Sequence, residues 1–255
     1  MADIIYAGVS SATVGVKVEW YPNLDRPARK YTRVSVPGRS GDLFFYQDAY
    51  ENVIQRYDIY AGYLAAGASQ IVWKDVFDWL YPAETAVTIN DHINLTINGY
   101  HTLVDAYDPD GSIRLATFNS GVEVENSWNH FGRATIEFDC RPERFTSDAF
   151  TMLTVSESGE TINNPTDRPA KPFIKVYGSG SATLMVNGYQ MSISNMTDYL
   201  HIDCDSQNCF RQLAENRNNL ITLTNGFPVL TSGGNAIAWT GGIDRVEVYP
   251  RWWRL

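Results

Sequence analysis

The chain is 255 residues long and carries a net charge of −9, with 44% apolar, 19% charged and 13% aromatic residues. That composition describes a globular, strand-rich protein and excludes a disordered one. Its acid excess excludes a generic nucleic-acid binder and disfavours docking on an anionic membrane, because both need surplus Lys and Arg.

The uncharged, apolar-rich stretch 59–73 has 15 residues, short of the roughly 20 that a bilayer core requires. Met1-Ala2-Asp3-Ile4-Ile5 places an acid where a secretory signal would carry Lys or Arg. The three cysteines, Cys140, Cys204 and Cys209, follow no framework spacing. Free thiols in a reducing cytoplasm are therefore expected.

In chain order, residues 14–20 and 31–36 alternate with period two and are expected to be strands with one face turned inward. A Pro- and Asp-rich loop over 21–30 joins them. Pro37-Gly-Arg-Ser-Gly-Asp42 is dense turn chemistry, followed by the apolar run Leu43-Phe44-Phe45 and a strand over 52–60. One helix is expected over 68–81, where Ile71, Val72, Val76, Phe77 and Leu80 recur at helical spacing with Trp73 and Trp79 on the flanks of that stripe. Ser69 is its expected N-cap and Pro82 its stop. Alternation returns over 85–104 with Asn98-Gly99 as a hairpin signal. Asp108-Pro-Asp-Gly111 reads as a turn, and 112–140 holds two alternating runs suited to extended hairpins.

The polar stretch 154–169, with Pro165 and Pro169, marks a boundary. The expected division is a first domain over 1–153, a linker over 154–164 and a second domain over 165–255, whose last residues either close it or pack back on the first. Strands are expected near 173–177, 182–186, 189–193, 200–203, 220–223 and 244–249, with turns about every ten residues, as in a β-sandwich. The acidity is concentrated early: residues 1–150 hold 12 basic and 20 acidic side chains, residues 151–255 hold 8 and 9.

Chemistry-bearing clusters are few. Cys204 and Cys209, near His201, Asp203 and Asp205, have the spacing of half a zinc site. No second Cys/His pair matches them, and alternation sends Cys204 to the opposite strand face, so no metal is expected. Asp105, Asp108 and Asp110 precede Gly111, but a calcium loop in that frame would begin at Ala106 and end at Thr117. There is no Gly-x-Ser-x-Gly elbow, and Gly178-x-Gly180 leads into a strand rather than a helix. The four histidines (His92, His101, His130, His201) have no partnering pattern. No enzymatic activity and no cofactor are expected. At the end of the chain, Trp252 and Trp253 after Pro250 either dock on this chain's own domains or anchor an assembly contact.

Several separated segments together resemble the distal tail (Dit) proteins of long-tailed siphophages that infect Gram-positive hosts. They are Val36-Pro-Gly-Arg-Ser-Gly-Asp-Leu43, Arg56-Tyr57, Trp79-Leu80 and Ala134-Thr-Ile-Glu-Phe-Asp-Cys-Arg-Pro142 in the first half. In the second half they are Asn164-Pro-Thr166, Pro172-Phe-Ile-Lys-Val-Tyr-Gly178, Val186-Asn-Gly188, Leu200-His-Ile-Asp-Cys204, Phe227-Pro-Val-Leu230, Gly234-Asn235 and Pro250-Arg-Trp-Trp253.

The resemblance implies a mainly β fold: an N-terminal β-sandwich with one α-helix and a projecting β-hairpin, then a galectin-like C-terminal β-sandwich. It further implies a structural virion protein at the tail tip, synthesised and assembled in the host cytoplasm. Such a protein is a homo-hexameric ring joining the tail tube protein to the tip or fibre protein and to receptor-binding proteins. DNA would pass through the lumen without specific binding, repelled by the acidic first domain, and no membrane is involved. The projecting arm is expected in the 112–140 region. Candidate assembly contacts are Asn119, Asn126 and Trp128 there, Arg39 and Asp42 in the early turn, and Arg251, Trp252 and Trp253 at the end.

The alternative reading is a carbohydrate-binding adhesin module that recognises host cell-wall saccharide through the second domain. Its aromatic candidates are Tyr177, Tyr189, Tyr199, Phe210 and Trp239, of which Trp239 is expected in the core.

Overall fold

Strand formation here follows the two-residue rhythm of the side chains, and the residues that break the rhythm set the architecture. The computed structural model describes residues 3–255 apart from 20, 21, 23, 24, 63–67, 83–87, 90–92, 95–98, 106, 109, 128–130, 213 and 214. It is mainly β, with one α-helix among the described residues, and it divides into two units: Met1–Arg144 with Leu255, and Phe145–Arg254.

The first unit begins with β1 (Ile4–Tyr6), β2 (Val9–Ser10), β3 (Val16–Val18), β4 (Arg29–Val34), β5 (Leu43–Tyr50) and β6 (Val53–Gly62). Helix α1 (Ala68–Leu80) and the short β7 (Thr88–Ile89) and β8 (Ile93–Asn94) follow. Then come β9 (His101–Asp105), β10 (Ile113–Thr117), β11 (Glu125–Ser127) and β12 (Phe131–Phe145). The main sheet runs β2–β1–β9–β10–β12–β6–β3, with β11 also paired to β12.

Strand β6 shows the rule plainly. Val53, Gln55, Tyr57, Ile59 and Ala61 are buried, while Ile54, Arg56 and Asp58 face outward. Its antiparallel register with β12 sets Tyr57 against Ile136 and Gln55 against Phe138, so both strands bury the same face.

Helix α1 lies in the same core. Trp73, Val76, Trp79 and Leu80 are buried with Tyr6, Tyr57 and Phe138, and Val72 packs against them. Each such side chain contributes about 1.5–3 kcal/mol by leaving water. The two tryptophans thus belong to the buried stripe, whereas Phe77 is exposed. The Trp79 Nε1–H donates to the carbonyls of Tyr6 (3.2 Å) and Val9 (3.1 Å), so its polar edge is satisfied as it is buried. The hairpin signal at Asn98 lies outside the described residues.

His101 on β9 is 8% exposed, with its ring 5.6 Å from that of Tyr6 in an edge arrangement. Burial holds its imidazole below the ordinary range. The folded state therefore resists the proton: this contribution is complete above the unfolded value of about 6.5 and is lost as pH falls towards the lower folded value. Nearby Asp105, raised by burial, acts in the opposite sense. The informative quantity is thus the difference between wild type and His101→Leu. The melting temperature of the wild type is expected to fall more steeply than that of the variant between pH 7.5 and 5.5.

The second unit contains β13 (Leu153–Val155), β14 (Glu160–Asn164), β15 (Phe173–Val186), β16 (Tyr189–Asp203), β17 (Asn208–Phe210), β18 (Ile221–Thr224), β19 (Gly233–Tyr249) and β20 (Trp253–Arg254). Its sheet runs β13–β19–β15–β16–β17, with β14 also on β19 and β18 on β16. The segments 173–177 and 182–186, expected as two strands, are halves of β15; 189–193 and 200–203 are likewise halves of β16.

Glycines explain the fusion in β15. The β15–β19 register shifts at Gly178, and a Cβ there would lie 1.9 Å from the Gly242 carbonyl oxygen. A Cβ on Gly242 would lie 1.8 Å from the Ser179 oxygen. Only residues without a side chain allow this crossing, and the long strands curl through it instead of ending. On either side of the crossing the strands bury apolar faces: Ile174, Val176, Leu200 and Val246 below it, Leu184, Val186, Met191 and Ile237 above it.

The expected linker over 154–164 is corrected as well. It carries β14 and most of β13, both paired with β19. Its polar composition misleads because these strands hold on through backbone bonds and bury little besides Val155 and Asn164. The Asn164 amide donates to the carbonyls of Arg168 (2.9 Å) and Leu230 (3.2 Å), and its oxygen accepts from Thr166.

Residues near the end of the chain bond to residues of the second unit. Arg251 N–H donates to Ala149 (2.8 Å), Thr146 N–H donates to Trp252 (3.0 Å), and Trp253 Nε1–H donates to Pro169 (2.9 Å). All three thiols are free and buried. Burial pushes those of Cys140 and Cys209 up to about 12 and raises that of Cys204, so they are protonated and unreactive at neutral pH.

Candidate assembly surface

Strands β4 and β5 pair only with each other. Their register places Tyr31 opposite Tyr46, Arg33 opposite Phe44, Thr32 opposite Phe45 and Val34 opposite Leu43. One face of the ribbon therefore carries Tyr31, Arg33, Phe44 and Tyr46, and the other Val34, Leu43 and Phe45. Neither face is covered: every β4 residue is exposed, as are Phe44, Phe45 and Tyr46 at 50–57%.

Local contacts set the ribbon's shape. Tyr31 packs on Phe44 with ring centroids 5.3 Å apart, and the Arg29 guanidinium sits 4.3 Å from the centre of the Tyr46 ring. Gln47 donates to the Thr32 hydroxyl at 3.1 Å, and Arg33 pairs with Asp42 across the turn. The eight residues of β5 give the ribbon a reach of about 27 Å at about 3.4 Å per residue.

Two-stranded ribbons are marginal in water by themselves. One that displays six large apolar side chains (Tyr31, Val34, Val36, Phe44, Phe45 and Tyr46) is built to be covered.

The described residues of the region expected to supply the arm, 112–140, belong to the main sheet or border it. Strands β10 and β12 lie inside the main sheet, and β11 is a three-residue strand paired to β12. Leu115, Ala116, Ile136 and Phe138 explain why: these runs are half core and are held by it. Of the candidate contacts, Arg39 is exposed in the ribbon turn and Asp42 is tied to Arg33 beside it. Asn119 is exposed, Asn126 lies in β11, and Trp128 is outside the described residues.

The end of the chain is different. Arg251 and Trp252 are 5% and 2% exposed, so they present no surface to a neighbour. Trp253 is half-buried, with Arg168 5.9 Å from its ring centre.

The aromatic residues of the second unit are largely spoken for. Tyr177 and Tyr199 stand opposite each other on β15 and β16. Lys175 Nζ lies 4.5 Å from one ring centre and 4.7 Å from the other. Arg245 approaches Tyr177 at 3.7 Å and Arg211 approaches Tyr199 at 5.6 Å. Each ring thus has two of the chain's own cations against it. Burial and the Tyr177 hydroxyl's bond to Glu247 (2.9 Å) raise the Tyr177 phenol. Phe210 packs on His201 and Phe173. Trp239 is half-buried instead of interior.

Sequence reading missed the ribbon because it assumed that alternation buries one face. The signal was present in Leu43-Phe44-Phe45-Tyr46, apolar in both phases and bounded by turn residues, which commits neither face to this chain's own core.

No family model matches the chain, and no curated protein matches it. Solved structures do match across its whole length. The crystal structure of the SPP1 Dit protein, described as a paradigm of the hub adsorption apparatus in Gram-positive-infecting phages, aligns with a TM-score of 0.68. Identity is 10%, over 97% of this chain and 98% of that one. The phage P2 baseplate in its activated conformation matches with a TM-score of 0.53 at 9% identity in the form with Ca, over 97% of each chain. In the form with Sr the values are 0.52 and 9%, over 96% of this chain and 97% of that one. The chain is similar to these proteins in fold from end to end.

Proposed function

We propose that this chain is a structural component of a phage tail, a distal hub whose copies close into a six-membered ring between the tail tube and the proteins that reach the host cell. The observation that carries this reading is the uncovered ribbon over 29–50. It is rich in Tyr, Phe and Arg, the residue types that anchor interfaces, and its own chain leaves it bare. Fold likeness over nearly the full length to a phage hub protein supports the same reading.

A closed ring needs a heterologous contact, with one surface of each copy meeting a different surface of the next. A projecting arm supplies the first of those surfaces. An acid-rich first unit suits a channel through which DNA must pass without sticking. The saccharide-binding alternative draws less support, because the tyrosines that would stack on a sugar are occupied by Lys175, Arg211 and Arg245.

Light scattering over a concentration series tests the proposal. The expected mass is about six times 28.7 kDa, collapsing to the monomer in Phe44→Glu/Phe45→Glu with the melting temperature unchanged. Saturable binding of the purified chain to host cell wall, with a monomeric mass throughout, would favour the saccharide reading instead.

A further inference from the structure

We infer, resting on the ring just proposed, that the surface receiving the ribbon is a carboxylate-lined cleft on the outward face of β6 and β12 of a second copy of this chain. The cleft measures about 510 Å³ and is lined by Glu19, Asp58, Glu123, Glu125 and Glu137, with Arg133 among them. Two of these acids are neutralised within the chain. Arg133 pairs with Glu19, and Arg56 reaches Glu137 at 2.6 Å. Asp58 accepts from the Thr135 hydroxyl at 2.6 Å. Among the described residues no cation pairs with Asp58, Glu123 or Glu125.

The ribbon has the complementary surplus. Residues 29–50 hold four basic and two acidic side chains, while the rest of residues 1–150 hold eight basic and eighteen acidic. Within the ribbon, Arg33 is paired with Asp42 and Arg29 covers Tyr46. Lys30 and Arg39 are exposed, and among the described residues no carboxylate meets either.

A basic arm on an acidic body is attracted to every other copy, and most strongly where carboxylates converge in a concave site. There an arginine fork can bond two carboxylates at once. Ile54, 42% exposed on the same face of β6 as Arg56 and Asp58, gives the ribbon aromatics an apolar neighbour. Because arm and cleft are different surfaces of one chain, their pairing is heterologous and can propagate around a ring. Exposed ion pairs across such a joint weaken with salt.

The experiment is a charge exchange in the full chain, read by light scattering and by melting temperature. Lys30→Glu/Arg39→Glu and Glu123→Lys/Glu125→Lys are each expected to lose the six-copy mass at concentrations where the wild type is fully assembled. The variant carrying all four changes is expected to regain it. All four positions are exposed, so melting temperatures should match the wild type.

A wild-type ring that survives Glu123→Lys/Glu125→Lys would overturn the cleft as the receiving surface while leaving the ring itself standing. Loss of the ring in both pairs without recovery in the four-fold variant would also overturn the direct pairing. A wild type that stays monomeric at low salt and high concentration would overturn the ring and this inference together.

Discussion

Gly242→Ala is expected to cost the second unit about 4 kcal/mol or more, the range reserved for backbone collisions that no side-chain rotation can relieve. The new Cβ would stand 1.8 Å from the Ser179 carbonyl oxygen and 3.0 Å from its carbon, and both belong to the strand β19 must cross. Gly178→Ala meets the Gly242 carbonyl at 1.9 Å and adds a φ of +149°, so it should behave alike. Gly188→Ala is the control: nothing lies within 4 Å of its Cβ and its backbone is not left-handed. For a unit of this size the loss lowers the melting temperature by about 15 °C or more. Hydrogen exchange should show protection lost through β15, β16 and β19 and kept in β6 and β12. Equal stability of Gly242→Ala and Gly188→Ala would mean that the strands do not cross there.

Asp203→Ala should cost about 3–5 kcal/mol, because it strands a buried cation. The Arg251 side chain is 6% exposed and bonds Asp203 at 2.6 Å. Its backbone holds a left-handed φ of +56°, which a non-glycine residue tolerates only when its surroundings fix it. Asp203 also accepts from the Asp205 N–H at 3.1 Å. With the carboxylate gone, the guanidinium keeps its place 5.7 Å from the Phe173 ring without a counter-charge. Asp203→Asn retains an acceptor and should cost about half as much. The double variant Asp203→Ala/Arg251→Leu should recover much of the loss, since removing both charges removes the penalty for burying one. Denaturant titration of the four proteins measures the cycle. Additive losses would show that the two residues do not act as a pair.

Legibility in the sequence tracked whether a residue's partner was local. Strand β6 and helix α1 could be read because period-two and 3.6-residue patterns report directly which side faces a core. Trp73 and Trp79 were placed on the helix flanks because apolar spacing alone does not fix the angular position of the stripe. The fused strand β15 was read as two because Gly178 and its neighbours look like turns. What makes it pass straight through is the close approach of Gly242, about sixty residues away. Strands β13 and β14 read as linker for a related reason, being held by backbone bonds to the distant β19. The candidate surface was half visible. Arg39 and Asp42 lie on the ribbon, but the arm was sought at 112–140, where Ile136 and Phe138 bind the chain into the core. Trp252 looked like a contact because an apolar pair after proline shows only that burial is needed, not whose interior supplies it.

Thr146 bonded to Trp252 fastens the first residues of the second unit to its last ones. Two segments latched in this way open in one step and not separately, so the amides on either side of the latch are expected to exchange together.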